Sequence, residues 1–232
     1  MGFFEPNMDA EREERERKRS YIQATCGTLK SLLVPLMIIS IITGILAAFP
    51  VSGCIAGIGA IAILVITIIY MVNVWKLGDR YSEQLKTAVI LKIAGPIASV
   101  VAGILLGIFS IGVSSGVFIA ILEIIVSLGI TGLGIYAFYC ETDGFYYLFN
   151  QFDRVKANKW KDVFKFYLIA EVVPVAAAFV MIVFRIVGVE VFVFIINILS
   201  SVVTLVFSII SFVNQYQALG DGEYLRDTQQ ND

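Results

Sequence analysis

The stretch Cys54–Trp75, CIAGIGAIAILVITIIYMVNVW, runs for 22 residues without one charge. A hydrocarbon core about 30 Å thick takes roughly 20 apolar residues in helical form, so this run can cross it. It lacks the alternation of a strand, and it is twice the length of a barrel strand of about ten residues. Outward from it lie five comparable runs: Leu29–Phe49, Ala88–Ile111, Gly116–Tyr139, Phe166–Val187 and Val189–Tyr216. The sequence therefore predicts an all-α integral membrane protein with six transmembrane helices. Residues 1–28 read as a charged cytoplasmic segment, 29–216 as the membrane domain and 217–232 as a cytoplasmic tail.

Composition points the same way. Of 232 residues 58% are hydrophobic and 16% charged, with a mean hydropathy of +0.85; soluble domains carry about 45–50% and 25%. There is no histidine, which excludes His-based triads, His metal clusters and His pH switches. Cys26, Cys54 and Cys140 are too far apart for a CxxC motif. No GxSxG elbow, P-loop, HExxH or dinucleotide fingerprint occurs. No catalytic residue, cofactor or metal site is expected, and the chain does not read as an enzyme. Val51-Ser52-Gly53-Cys54 resembles a lipobox, but a cleaved signal would need a basic region of unusual length. Cys54 reads instead as a small apolar residue within a span.

Basic residues orient the chain. Sixteen of the seventeen Lys and Arg fall before span one, between spans two and three, between four and five, after span six, or just inside a span's cytoplasmic end. Pro50–Gly53 and Gly112–Ser115 carry no charge, and only Arg185 and Glu190 flank the turn near Gly188. By the positive-inside rule both termini face the cytoplasm, and the setting is a cytoplasmic membrane.

The six spans form three tandem hairpins of parallel topology, at about 29–87, 88–165 and 166–224. Odd spans carry Pro35, Pro96 and Pro174; even spans end in acidic turns with tyrosines, marked by Asp79 and Tyr81, Asp143 and Tyr146, and Asp221 and Tyr224. Seventy-eight residues separate Pro96 from Pro174, and the same number separates Asp143 from Asp221. Two independent landmarks shifting together indicate a repeat. Each proline removes a backbone hydrogen bond and can kink its helix, which at matched depth would open the cytoplasmic end of the bundle. Ser99, Gly103 and Gly107, Gly53 and Gly57, and Ala176–Ala178 are small-residue faces suited to close helix packing.

Outside the spans, Glu11–Arg15, Glu13–Arg17 and Glu14–Lys18 sit at helical i,i+4 spacing and support a solvated helix. Arg17, Lys18 and Arg19 suit anionic lipid headgroups. Six acids between Glu5 and Glu16 make the run a poor nucleic-acid site. The aromatic and basic stretch Glu141–Lys165 predicts an interfacial helix, with a smaller one over Leu77–Lys86.

Ionisable groups inside spans are functional candidates by default. Lys92 and Glu171 precede Pro96 and Pro174 by four and three residues, a spacing that predicts an ion pair at matched depth. Glu123 in span four, with Asn197 at similar depth in span six, forms a candidate intramembrane polar site for relaying a proton or binding a cation. These features imply a small transporter or channel component. The alternative is a non-catalytic scaffold or accessory subunit recruiting a protein partner, or a second copy, at its cytoplasmic face. On this topology a cysteine introduced at Ser52 or Ser114 should react with an impermeant label from outside, whereas Cys140 should not. Labelling of Cys140 from outside would overturn the six-span arrangement.

Overall fold

A charged residue ends a membrane span but need not end a helix, and here the helices outrun their apolar stretches. A computed structural model describes residues 8–47, 53–112, 116–187 and 189–225. They form α1 (Met8–Ala47), α2 (Gly53–Tyr81), α3 (Glu83–Gly112), α4 (Gly116–Asn150), α5 (Arg154–Val187) and α6 (Glu190–Glu223). All six are long and apolar enough to cross a membrane. The longest, α1, has 40 residues and so extends about 60 Å at 1.5 Å per residue, twice the hydrocarbon thickness. Residues 48–52, 113–115 and 188, the centres of the three uncharged connections, lie outside the described residues. So do the side chains of Cys54, Glu123 and Arg185, and the Gly53–Gly57 pair's surroundings.

Each helix packs against its neighbours in chain order, and α6 returns against α1, closing a ring of six. One end of the ring gathers the charged segments. There Gln23 Nε2 donates to Leu225 O at 2.9 Å and Lys18 Nζ donates to Gln151 Oε1 at 2.6 Å. Both described ends of the chain therefore lie at the same end of the bundle as the α4–α5 junction.

The buried core also lies at this charged end. Ile22, Cys26 and Leu29 of α1, Val74 and Leu77 of α2, Leu85 of α3, and Ala218 and Leu219 of α6 surround an aromatic centre. In that centre Phe145 stacks on Trp160 with ring centroids 4.4 Å apart, and Phe149 meets Trp160 edge-on at 5.8 Å. The far halves of the helices turn their apolar side chains outward: Ile58 and Val191 are 68% exposed and Phe194 66%. Apolar surface needs no burial where the surroundings are lipid tails.

This arrangement corrects three expectations. The prolines do not open the charged end, which is the most densely packed part of the molecule; Pro35, Pro96 and Pro174 lie inside continuous helices. The interfacial helices expected at Glu141–Lys165 and Leu77–Lys86 are not separate elements. The first is divided between α4 and α5, whose start is capped by Asp153 Oδ1 accepting from Val155 N and Lys156 N at 2.9 and 3.1 Å. The second is divided between α2 and α3 at Ser82. The first segment's aromatics Phe145, Phe149 and Phe152 are buried in the core, because packing them there removes more apolar surface from water than lying at the headgroups would. Thirdly, the motifs at Asp79, Asp143 and Asp221 are helical rather than turns. Tyr81 ends α2, Tyr146 lies within α4 and Tyr224 caps α6.

The glycine beside each of these aspartates lies at a close approach. A Cβ on Gly78 would sit 2.7 Å from Lys86 N, one on Gly144 2.7 Å from Leu85 Cγ, and one on Gly222 2.5 Å from Phe149 Cζ. At Gly103 and Gly107 a Cβ would meet nothing within 4 Å, so the small-residue face of α3 makes no comparable approach. Gly222→Ala and Gly144→Ala should each destabilise the protein by about 1–3 kcal/mol through overpacking, with Gly103→Ala close to neutral. Thermal unfolding in detergent measures the difference; equal effects at Gly222 and Gly103 would contradict it.

Candidate functional site

Where α2, α4 and α6 face the ring's interior, a polar network replaces apolar packing. Glu141 of α4 is 1% exposed. Its Oε1 accepts from Tyr70 Oη of α2 at 2.6 Å, and its Oε2 accepts from Lys92 Nζ of α3. Tyr70 Oη in turn accepts from Gln215 Nε2 of α6 at 3.1 Å. Alternate members of a ring can touch only across its interior, so Tyr70, Glu141 and Gln215 meet inside the bundle. Every second helix contributes one of them.

The chemistry of the set is coherent. A buried carboxylate is tolerable only when paired and hydrogen-bonded, and Glu141 has a cation on one oxygen and a hydroxyl on the other. Lys92 is 28% exposed on the side-chain scale, so its ammonium bridges the buried acid and a more open environment. The ammonium also lies 5.6 Å from the Tyr70 ring centroid and 5.5 Å from that of Phe138, within cation–π reach.

The structure rearranges the candidates read from the sequence. Lys92 pairs with Glu141, not with Glu171 as expected. Glu171 lies one turn from Tyr167 on α5. Depth matching along the repeat had set Lys92 opposite α5, whereas the ring makes α4 its neighbour. Asn197 is exposed on α6, its carbonyl accepting from Ser201 Oγ at 2.8 Å; the Glu123 side chain lies outside the described residues. In the sequence the fourth apolar run ends at Tyr139, which assigns Glu141 to a cytoplasmic segment; in the structure α4 continues through it. Its usable signal was position: it follows an apolar run in the helix antiparallel to the one that carries Lys92.

Around the network, bases lie on aromatic rings at the charged end. Arg80 Cζ is 4.4 Å from the Tyr21 centroid, and Lys18 and Lys86 Nζ are each 5.1 Å from the Tyr81 and Trp75 centroids. Ion pairs join Lys86 to Asp79 at 2.8 Å, Lys30 to Glu223 at 3.1 Å and Lys159 to Asp221 at 2.5 Å. Lys156 Nζ donates to Tyr224 O at 2.7 Å, tying α5 to the end of α6.

Fold and site together define the class as a six-helix multi-pass membrane protein. The sequence matches no family model, and comparison with curated proteins and with solved structures gave no match.

Removing one member of the network should cost more than removing a matched pair. Lys92→Met leaves the Glu141 carboxylate buried without its cation and should destabilise by about 3–5 kcal/mol; adding Glu141→Leu should restore part of that loss. Tyr70→Phe deletes a hydrogen bond to a charged group and should cost about 1.5–3 kcal/mol. Equilibrium unfolding in detergent tests the cycle, and strictly additive effects of Lys92→Met and Glu141→Leu would contradict a coupled pair.

Proposed function

We propose that the protein is a small transporter or channel component in which Glu141, Lys92 and Tyr70 form a proton-sensitive latch across the bundle. The observation that carries this reading is a buried carboxylate shared between a lysine and a tyrosine of different helices, inside the ring. Ionisable groups at such depth are costly and are kept where they serve conduction or relay. A proton reaching Glu141 removes the charge that holds Lys92. The ammonium then turns to its more open side, and α2, α3 and α4 lose their common tie.

In this reading the three hairpins are parallel repeats around one axis, both termini are cytoplasmic, and the membrane is the cell membrane. The latch closes the inner end. A second reading, a scaffold whose charged end recruits a partner protein, draws on the exposed Tyr147 and Val155 at that end.

The test is ion flux in reconstituted vesicles under an imposed pH gradient. The native protein should carry proton-linked flux, and Glu141→Gln, which keeps size and loses the titratable proton, should abolish it in protein that still folds, with an unfolding midpoint lowered by the lost ion pair. Flux unchanged in a folded Gln variant would remove Glu141 as the latch. Absence of flux from the native protein would favour the scaffold.

A further inference from the structure

Helices α4 and α5 share a seam on which two cavities open. One, of about 180 Å³, lies at the charged end between Asp143, Tyr146, Trp160, Lys161 and Lys165. The other, of about 260 Å³, lies toward the apolar end between Leu128, Thr131, Ala178 and Phe179. Leu128 and Thr131 line the second cavity, and Tyr139 and Thr142, eleven residues on, line the first. On α5, Phe164 of the first and Val175 of the second are also eleven apart. Eleven residues are close to three whole turns, so both cavities occupy the same helix faces, about 16 Å apart. One leaflet of a hydrocarbon core about 30 Å thick spans roughly that distance. The seam therefore carries a polar mouth at its charged end and a more apolar cavity one leaflet's depth further along.

The mouth carries charges of both signs. The Lys161 ammonium lies 4.3 Å from the Tyr146 ring centroid. Lys165 pairs with Asp162 at 3.2 Å, with both side chains more than half exposed, an interaction that water largely weakens. Asp143 is half-buried and has no ion-pair partner among the described residues. At the inner wall is Trp160, whose buried indole N–H has no hydrogen-bond partner among the described residues. Asp143 lies two residues beyond Glu141, about 200° around α4, so this seam is separate from the network inside the ring.

We propose that the α4–α5 seam binds a zwitterionic aminophospholipid. Its phosphate lies between Lys161 and Lys165, its primary ammonium at Asp143, and one acyl chain along Leu128 and Phe179. An anionic headgroup would satisfy the lysines but place negative charge beside Asp143. A choline headgroup offers Asp143 a cation with no N–H to donate, whereas a primary ammonium supplies both charge and hydrogen bonds.

The experiment is native mass spectrometry of the full chain in mild detergent with an equimolar mixture of phosphatidylethanolamine, phosphatidylglycerol and phosphatidylcholine. Phosphatidylethanolamine should be retained about fivefold over phosphatidylcholine, the ratio expected of one added charge-assisted contact at a part-exposed site. Asp143→Asn should bring the two to parity, Asp143→Glu should keep the preference, and Lys161→Ala with Lys165→Ala should lower retention of all three. Equal retention by the native protein, a preference for phosphatidylglycerol, or an unchanged preference in Asp143→Asn would each overturn the proposal. The ranking on the native chain decides the matter even if a variant fails to fold.

Discussion

The hydrophobic effect acts only where water is the alternative surrounding, and this chain spends most of its length where it is not. Within the bilayer an isoleucine gains nothing by leaving lipid for protein, so Ile58, Val191 and Phe194 remain on the outside. At the charged end, water returns and apolar burial becomes favourable at about 25 cal/mol per Å². Trp160, Phe145 and Phe149 collect there, together with Ile22, Cys26 and Leu219. The location of the core is thus set by the solvent boundary rather than by any one segment. Gly78, Gly144 and Gly222 permit the helices to approach at that level.

The same boundary explains the Glu141 network. A carboxylate at this depth has little water to solvate it, and its ion pair is correspondingly less screened. Lys92 and Tyr70 occupy its two oxygens, and Gln215 completes the chain. Because these residues come from α2, α3, α4 and α6, their hydrogen bonds fix the lateral register of helices whose apolar faces would slide freely. Packing among apolar side chains specifies proximity; directional bonds specify alignment.

Much of the architecture was legible in the sequence and much of the site was not. Six apolar runs, each long enough to cross a bilayer and carrying at most two charges, are a length signal that bilayer thickness decodes directly, and the i,i+4 spacing of Glu13 and Arg17 foretold the helix in which they lie 3.7 Å apart. The segment after Tyr139 was opaque for a definite reason. Aromatic and basic residues suit a headgroup boundary and a water-side core equally well, and only the third dimension separates them. Reading Phe145 and Phe149 as interfacial ended α4 too early, moved Glu141 out of the bundle and left Lys92 with the wrong partner. The acidic Gly motifs were recognised as recurrent, but their role in close packing depends on neighbours such as Leu85 and Cys26 that come from other helices.

The central claim is that one chain meets two solvents, with its core on the water side of the boundary. The most direct measurement places spin labels singly along α4 from Ile125 to Phe149 in lipid nanodiscs and records relaxation by oxygen and by a water-soluble nickel complex. Labels at Ile125 and Leu128 should respond to oxygen, a label at Tyr147 to nickel, and labels at Phe145, Leu148 and Phe149 to neither. Phe145, Leu148 and Phe149 responding to oxygen as strongly as Ile125 would place them in lipid and contradict the account.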